Sequence, residues 1–466
     1  MINTYLTTVL LLLSGLAMGQ GTIPLPTQAQ LTWQDAELAA LVCLDLHSFD
    51  GEFYVQKDVR IRPVDDYNIF NPQHYDTDQW IRSLRDAGFK IAILTVSHET
   101  GFYLHQSDAT PYCMKALKWK DGKGDVLRDF KASCEKYGIL PGVYIGIRWN
   151  SYYGIHDFKV HGEGAFAENR QKYYNNMVER IVEEIFSRYG DWAVVWFDGG
   201  AHGPEQGGPD VLSVFERYQP YCLFYHNLQR ADMRWGGSES GTVPYPCWGT
   251  FPYVSTGAGE SAKQEISRNN FALLKTGDPN GRYYIPAMSD APLRGNGGHD
   301  WFWEPNREHI IYPLEKLVEM YYKSVGHNTT LILGVTPDPD GLMPEPDVQR
   351  LKEFGDEIQR RFASPFKTTF GTGKKITLKL SSRQIINQLV LMEDIGHGEK
   401  VREFKVQGKT ATGWKDLCKG SCIGHKYITR FEGVEVSTLR LLITGSLGEP
   451  QIREFSAYYV EDADLD

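Results

Sequence analysis

One carboxylate ends the apolar run Ala-Val-Val-Trp-Phe at residues 193–197, and Gly199 and Gly200 follow it directly. An apolar run bounded by glycine is typical of a buried parallel strand, and such strands carry reactive groups at their carboxyl ends. Asp198 is therefore a candidate catalytic group. Trp196, two residues earlier on the same face, could line a pocket, and the glycines would let a ligand approach the backbone. A turn or helix-capping aspartate is the alternative interpretation.

The chemistry that most directly requires paired carboxyl groups is glycoside hydrolysis. One carboxyl attacks the sugar or activates water, and the other protonates the leaving oxygen. Glu239 is the strongest partner for Asp198, because it lies in the glycine-rich segment Arg-Trp-Gly-Gly-Ser-Glu-Ser-Gly at residues 234–241. The sequence contains no distances, so three other acids compete for this role: Glu99, Asp290 and Glu304.

Apolar strand-like runs alternate with helical patterns from residue 39 to about residue 337, which is the signature of a β/α architecture. The strand-like runs are residues 40–46, 91–96, 140–147, 193–197, 222–225, 283–288 and 330–335, with 243–248 as the candidate for an eighth strand. The main helical patterns cover residues 75–87, 125–137, 168–189 and 308–325. This order predicts an α/β fold with a (β/α)8-like barrel over residues 20–365.

Polar side chains follow the first five predicted strands. They are His47, His98, the Arg-Trp-Asn stretch at 148–150, Asp198, and the His-Asn pair at 226–227. The carboxyl ends of barrel strands converge on one face, so these separate residues are expected to form a single site.

The composition changes after a helical pattern at residues 348–362. Alternating strand-like segments then occupy residues 375–380, 386–392, 401–406, 427–431 and 439–444. This pattern predicts a C-terminal β-sandwich over residues 366–466. Such appended domains often bind carbohydrate, but packing against the barrel is the favoured role here.

Overall composition excludes several classes of protein. The net charge of −10 would repel a phosphate backbone, so nucleic acid is not an expected partner. No segment approaches the roughly 18 apolar residues of a membrane span. The chain contains 11 Trp and 26 Tyr, a content that suits large aromatic cores or sugar-stacking surfaces.

The first 19 residues are interpreted as a secretory signal peptide. A short apolar run at residues 7–13 precedes Ala17-Met18-Gly19, which fits a signal-peptidase site, although the segment before the run has no Lys or Arg. We therefore expect a secreted protein, delivered to the medium or to a lysosome-like compartment. Seven cysteines lack metal-ligand spacing, and Cys418 and Cys422 could close a small disulfide loop. We expect no metal and no cofactor.

Several short motifs occur in an order that identifies the chain as similar to a known family. They are Phe70-Asn71-Pro72, Asp78-Gln79-Trp80, the segment Leu-Thr-Val-Ser-His-Glu-Thr-Gly-Phe at 94–102, Gly-Val-Tyr-Ile-Gly at 142–146, Trp-Phe-Asp-Gly-Gly at 196–200, and Ser-Val-Gly-His-Asn at 324–328. Together they resemble the α-L-fucosidases of glycoside hydrolase family 29. The segment at 234–241 resembles the acid/base loop of the subgroup that prefers α-1,3/1,4-linked fucose.

The resemblance implies a role for individual residues. Asp198 corresponds to the nucleophile and Glu239 to the acid/base. His47, His98, Tyr144 and Trp196 correspond to the fucose pocket. Trp301 or Trp303 could form an outer rim for further sugars. Glu99 stands where the family has a second histidine; it is predicted as a substrate-binding residue all the same, because a carboxylate can accept hydrogen bonds from sugar hydroxyls, with the contact altered rather than lost.

The predicted function is that of a retaining exo-α-L-fucosidase. It would hydrolyse terminal α-1,3/1,4-linked L-fucose from oligosaccharides or glycoconjugates by double displacement. The alternative, motivated by Glu99, is a catalytically weak, lectin-like fucose-binding protein on the same barrel.

Overall fold

The computed structural model describes residues 23–256 and 271–461. The predicted signal peptide, residues 1–19, lies outside the described residues, so the cleavage site and secretion stay predictions. In the two described ranges, no helix is both long and apolar enough to cross a membrane.

Eight parallel strands form a nearly closed barrel, which confirms the predicted α/β fold class. The strands are β1 (Leu38–Val42), β2 (Ile91–Ser97), β3 (Leu140–Ile145), β4 (Val194–Ala201), β5 (Leu223–Asn227), β6 (Arg234–Trp235), β7 (Ala287–Pro292) and β8 (Thr330–Val335). They pair in the order β5-β4-β3-β2-β1-β8-β7-β6. Every residue of β1, β2 and β8 is buried, as expected for parallel strands enclosed by helices.

The later strands differ from the prediction. Residues 243–248 form no strand, and the barrel's sixth strand is the two-residue β6 instead. The predicted strand at 283–288 is two elements: Tyr283–Tyr284 pairs outside the barrel with Thr250–Phe251, and β7 starts at Ala287. The apolar run at 243–248 does not by itself require strand pairing, and the run at 283–288 is divided between two separate sheets.

The helices are α1 (Gln28–Ala36), α2 (Gln56–Val59), α3 (Thr77–Asp86), α4 (Val126–Tyr137), α5 (Gly164–Arg188), α6 (Val211–Tyr218), α7 (Phe271–Thr276), α8 (Leu314–Lys323) and α9 (Glu345–Phe362). Aspartates start α3 and α4: Asp76 accepts a hydrogen bond from Gln79 N at 3.1 Å, and Asp125 accepts one from Arg128 N at 3.0 Å. These caps satisfy amides that the first helical turn leaves without partners.

The C-terminal β-sandwich is built from six antiparallel strands. They are β9 (Lys367–Thr372), β10 (Lys375–Glu393), β11 (Val401–Thr410), β12 (Gly413–Gly420), β13 (Tyr427–Ser446) and β14 (Gln451–Tyr458). The long strands β10 and β13 each join two segments that the sequence pattern separates. In one layer, the N-terminal part of β10 pairs with the C-terminal part of β13, and the sheet continues into β11 and β12. In the other layer, the C-terminal part of β10 pairs with the N-terminal part of β13, and the sheet continues into β14 and β9. The two layers therefore share β10 and β13 and enclose an apolar core.

The sandwich docks on the barrel through buried polar groups. Glu399 accepts hydrogen bonds from Gly249 N at 3.0 and 2.9 Å and from Asn328 Nδ2 at 2.7 Å. Asn328 Oδ1 in turn accepts from His425 N at 2.6 Å. The Ser-Val-Gly-His-Asn motif at 324–328 thus belongs to the domain interface. Because Asn328 is buried and its amide is fully used, its glycosylation sequon is closed to modification.

The suggested disulfide between Cys418 and Cys422 is absent, since both cysteines are free thiols. Cys422 is buried at the domain interface and contacts Cys247 O at 3.5 Å. Cys418 lies in β12, paired with Val406 of β11. The two side chains lie in different environments, so their short sequence separation does not bring them together.

Candidate active site

A cavity of about 410 Å³ opens at the carboxyl ends of the barrel strands. It is lined by Leu41, Cys43, Tyr54, Gln56, Thr95, His98, Tyr144, Trp196, Asp198, Glu239, Asp290, His299, Trp301 and Phe302. Six predicted site residues are among them: Asp198, Glu239, His98, Tyr144, Trp196 and Trp301. The volume suits a small ligand that is largely enclosed by protein.

Asp198 lies within β4, where the strand departs from regular pairing with β5. Gly199 and Gly200 both have positive φ, at 66° and 85°, a conformation that glycine adopts without strain. A Cβ on Gly199 would lie 2.8 Å from Arg148 Cδ. The first glycine therefore makes room for the Arg148 side chain, and the approach of a ligand to these glycines stays a prediction.

The Asp198 carboxyl is solvent-exposed and hydrogen-bonded. Tyr144 OH donates to Asp198 Oδ2 at 3.1 Å. Burial, and then the neighbouring Asp198 charge, raise the pKa of Tyr144 well above its ordinary value. The phenol therefore keeps its proton and holds one oxygen of the carboxylate in place, while the carboxyl stays open to the cavity.

Aromatic rings and a histidine form the wall beside Asp198. The Tyr144 ring lies 5.7 Å from His98 and 5.9 Å from Trp196, measured between ring centroids. Burial lowers the pKa of His98, so its imidazole is neutral near pH 7. His98 Nδ1 and Trp196 Nε1 have no hydrogen-bond partner among the described residues. Both atoms are buried from solvent.

Glu239 lies on the loop that follows β6. Gly236 N donates to Met288 O and Gly241 N donates to Asp290 O, both at 2.8 Å, so both ends of the loop are fixed to β7. Gly241 has a φ of +67°, and a Cβ there would lie 2.8 Å from Met320 Sδ. The tight loop therefore requires glycine at that position.

Arg234 supports this loop from inside the protein. It is fully buried, and its guanidinium donates to Leu274 O at 3.0 Å, to Trp248 O at 2.7 Å and to Ile285 O. The arginine of the Arg-Trp-Gly motif is thus a structural brace, because its donors are directed at backbone carbonyls.

The Glu239 carboxyl contacts two residues from the loop after β7. His299 Nε2 is hydrogen-bonded to Glu239 Oε2, and Trp301 Nε1 donates to the same oxygen at 3.1 Å. The hydrogen bond with Glu239 raises the pKa of His299. Glu239 remains 43% exposed at its side chain, so it is oriented by its neighbours and still open to solvent.

Asp290 is a third carboxyl in the cavity, and it lies near the end of β7. It is only 4% exposed, and Trp235 Nε1 donates to Asp290 Oδ1 at 2.8 Å. Burial raises its pKa well above the usual range, with a further contribution from the charges of Glu239 and Asp198. The geometry leaves Asp198 and Glu239 as the two exposed carboxyls.

His47 does not line the cavity, contrary to the prediction. It belongs to a short 3-10 helix, Leu46–Phe49, because β1 ends earlier than the sequence pattern indicates. Its ring stacks on Tyr54 at 4.7 Å and meets the edge of Phe302 at 4.4 Å. His47 therefore supports two residues that do line the cavity.

Glu99 is also displaced from its predicted role. It is buried behind the cavity wall and pairs with Arg60, with Nε at 2.8 Å and Nη2 at 2.7 Å from Oε1. Tyr54 OH and Gln56 Nε2 donate to the same carboxylate at 2.8 and 3.3 Å. The departure from the family motif thus anchors the segment that supplies Tyr54 and Gln56 to the cavity.

Seven lining residues were not predicted as site residues: Leu41, Cys43, Thr95, Tyr54, Gln56, His299 and Phe302. The last four lie in the segments that follow β1 or β7, where no periodic pattern marks them. Glu304, one of the competing acids, accepts a hydrogen bond from Tyr54 N at 2.8 Å and does not line the cavity. Trp303, the alternative rim residue, is not a lining residue either. Among the described residues, no group of three or more His, Cys, Asp or Glu side chains is placed to hold a metal ion.

The chain was compared with known proteins. The family model for α-L-fucosidases matches residues 45–361. α-L-Fucosidase 1 of Arabidopsis thaliana is 26% identical over 478 residues, which cover 94% of this chain and 88% of the relative. A crystal structure from Bacteroides thetaiotaomicron, assigned as an α-L-fucosidase, is 54% identical with a TM-score of 0.92 and covers 94% of this chain and 100% of that one.

A more distant structure shares the fold. A family 29 fucosidase of Ruminococcus gnavus, solved in complex with fucose, is 22% identical with a TM-score of 0.75, and the match covers 95% of this chain and 96% of that one. The family model spans most of the chain, and the Bacteroides protein matches it nearly end to end. This chain therefore belongs to the α-L-fucosidases of glycoside hydrolase family 29, enzymes whose substrates are fucosylated glycans.

Proposed function

We propose that this protein is a retaining exo-α-L-fucosidase that releases terminal α-1,3/1,4-linked L-fucose. Asp198 is the nucleophile in this proposal, and Glu239 is the acid/base. The observation that carries it is the convergence of two exposed carboxyls on one cavity, one from β4 and one from the loop after β6. Retaining glycosidases use two carboxyls in these roles.

In the first step, an Asp198 oxygen attacks the anomeric carbon as the glycosidic bond breaks. Protonated Glu239 gives its proton to the departing oxygen, and a fucosyl ester forms on Asp198. The Tyr144 hydroxyl holds Asp198 Oδ2, so the other oxygen is the attacking atom. Trp301 and His299 orient the Glu239 carboxyl toward the leaving group.

In the second step, Glu239 is ionised and removes a proton from water. The water oxygen attacks the anomeric carbon, the ester bond to Asp198 breaks, and Glu239 regains the proton it gave up. Two displacements on opposite faces retain the configuration. Each carboxyl therefore returns to its starting state.

The cavity provides both kinds of contact that a deoxy sugar needs. Trp196 and Tyr144 supply an apolar aromatic wall for the C5 methyl group, and the His98 imidazole, which lines the cavity, can bind a hydroxyl. The Ruminococcus relative is itself a complex with fucose, which supports a monosaccharide in this pocket.

The linkage preference rests on the loop at residues 234–241 and on its surroundings. Glu239 protonates the leaving oxygen, so the residues that contact it flank the rest of the glycan. Trp301 and His299 are those residues, and they give the outgoing sugar an aromatic and polar rim. We therefore expect the enzyme to favour the branched α-1,3/1,4 linkages.

The test compares α-1,3- and α-1,4-fucosyl trisaccharides, an α-1,2-fucoside and an aryl fucoside, with the first-formed anomer followed by proton NMR. The proposal expects the trisaccharides and the aryl fucoside to be hydrolysed, the α-1,2-fucoside to react more slowly, and α-fucose to appear first. First appearance of β-fucose would contradict retention. Fucose binding without turnover of any substrate would favour the lectin-like alternative.

We also propose that the protein is exported after removal of residues 1–19. The apolar run at 7–13 and the small residues at 17–19 support this. Expression of the full chain, followed by N-terminal sequencing of secreted protein, should find Gln20 first. An intact Met1 on a retained protein would contradict export.

A further inference from the structure

Asp290 is a cavity residue to which the two-carboxyl mechanism gives no role. Its backbone carbonyl receives the hydrogen bond from Gly241 N that closes the Glu239 loop, and its side chain lines the cavity. Trp235, at the start of the same loop, donates to its Oδ1. Both ends of the loop that carries Glu239 are therefore hydrogen-bonded to Asp290.

The surroundings of the carboxyl disfavour a negative charge. Asp290 is 4% exposed, and the ionisable groups that face it are Asp198, Glu239 and Tyr225. None of the described residues forms a salt bridge with it. Burial raises the pKa of Asp290 well above its usual range, and the acids Glu239 and Asp198 add to the effect. Burial and the neighbouring acids therefore favour the protonated carboxyl over the carboxylate.

The position of that proton follows from the hydrogen bond with Trp235. An indole N–H only donates, so Oδ1 is the accepting oxygen of the carboxylic acid. The hydroxyl hydrogen then resides on Oδ2, for which no hydrogen bond to another of the described residues is found; the backbone N–H of Asp290 itself also acts on the carboxyl. A neutral carboxylic acid is a donor, and sugar hydroxyl oxygens are acceptors.

We propose that Asp290 is a substrate-binding residue whose Oδ2 donates a hydrogen bond to a hydroxyl oxygen of the bound fucose. This inference rests on the proposed function, because it takes fucose as the occupant of the cavity. Two other donors in the cavity already have partners: Tyr144 OH bonds Asp198, and Trp301 Nε1 bonds Glu239. Asp290 therefore adds a donor that the protein itself does not use.

The test measures L-fucose binding by calorimetry in the full-length protein, without any need for turnover. Asp290→Ala should weaken binding roughly tenfold, because the contact is lost and Trp235 Nε1 loses its acceptor. Asp290→Asn should recover most of this loss, to within about threefold of wild type, since its oxygen accepts from Trp235 and its NH2 donates. Asp290→Leu keeps the volume without hydrogen bonding, and it replaces the alanine variant if that protein unfolds.

Glu393→Gln is the matched control, because it changes a buried acid outside the cavity and should leave fucose affinity unchanged. A purely structural role predicts no difference in pH dependence. A donating acid predicts that wild-type fucose affinity falls as the pH rises through the raised pKa of Asp290, and that the asparagine variant does not show this fall.

Two outcomes would overturn the inference. Wild-type affinity in both the alanine and leucine variants would exclude the contact, and equal losses in the asparagine and alanine variants would show that an ionised carboxylate is required. Failure of the proposed function would give a different result. The wild-type protein would bind fucose and hydrolyse nothing, while the ranking of the Asp290 variants by fucose affinity could still be measured.

Discussion

The catalytic cavity and the barrel–sandwich interface both bury a carboxyl, but they treat it differently. At the interface, Glu399 accepts two hydrogen bonds from Gly249 N and one from Asn328 Nδ2. In the cavity, Asp290 accepts one, from Trp235. Burial raises the pKa of both acids. The interface carboxyl of Glu399 thus receives more hydrogen bonds from the protein than Asp290, which keeps capacity for a ligand.

This contrast predicts that acid-to-amide changes have opposite effects in the two regions. In the cavity they should reduce turnover and leave the fold stable. At the interface they should change stability and leave turnover intact. The following variants separate the two behaviours, since each one can be assayed for both properties.

The largest expected effect is that of Glu239→Gln. It removes the proton donor, so kcat/KM on a fucosyl trisaccharide should fall about 100- to 10,000-fold. The Glu239 side chain is 43% exposed, so the thermal unfolding temperature should stay near that of wild type. Ser238→Ala, one residue away, is the control for disturbance of the loop. Near-normal turnover of the trisaccharide by the glutamine variant would remove Glu239 from the mechanism.

The counterpart in the C-terminal domain is Glu393→Gln; the Glu393 carboxyl accepts hydrogen bonds from Lys400 N and Val401 N. Burial raises the pKa of Glu393 to about 7 in the folded protein. The folded state therefore binds more protons than the unfolded state between about pH 4.5 and 7, so wild-type stability falls as the pH rises through that window. The total fall in the free energy of unfolding is on the order of 3 kcal/mol, and it is complete above pH 7.

Denaturant unfolding at a series of pH values measures this effect. Glutamine cannot ionise, so the variant should lose this part of the pH dependence and keep its fucosidase activity. Parallel stability curves for both proteins from pH 4.5 to 7 would show that Glu393 is not the group responsible.

Glu99→Ala should affect substrate binding more than chemistry. Its carboxylate holds Tyr54, Gln56 and Arg60, and only the first two line the cavity. Loss of the anchor should raise KM roughly tenfold, with a smaller change in kcat. Glu99→Gln keeps acceptor and donor atoms and should lose only about threefold. A fall in kcat at constant KM would instead assign Glu99 to the chemical step.

The smallest predicted effect is that of His299→Asn. The pKa of His299 is raised by its hydrogen bond with Glu239, so the charged pair persists above the usual histidine range and is lost as the pH rises through that raised value. Loss of the pair should lower kcat/KM by about two- to fivefold at pH values below the His299 pKa. The two pH profiles should converge above it. If the ratio of the variant kcat/KM to the wild-type kcat/KM does not vary with pH, His299 has a steric role only.

Those parts of the fold that bury both faces of a strand could be predicted from the sequence. β8 has the predicted bounds, and Asp198 lies in the fourth strand as expected. β6 could not be predicted because two residues, Arg234 and Trp235, are too few to show a period. Its place in the barrel is set by pairing with β7, which is a long-range contact.

The residues of the cavity likewise form two groups, those that could be predicted from the sequence and those that could not. Residues at strand ends, such as His98 and Asp198, follow from the barrel plan, because that plan brings strand ends together, whereas Tyr144 was implied by the family resemblance. Tyr54 and His299 come from loops whose course depends on anchors elsewhere in the chain. The Glu99 side chain turns away from the cavity because Arg60 offers it a charged partner, and sequence spacing contains no signal for that pairing.

The most direct test of the central claim is intact-protein and peptide mass spectrometry of Glu239→Ala, quenched during turnover of an aryl fucoside. An activated aryl leaving group needs little protonation, whereas release of the sugar from the enzyme needs the Glu239 base, so the intermediate should accumulate. The account predicts one added fucosyl residue, located on Asp198. An unmodified protein that still releases the phenol, or a fucosyl group on another residue, would contradict it.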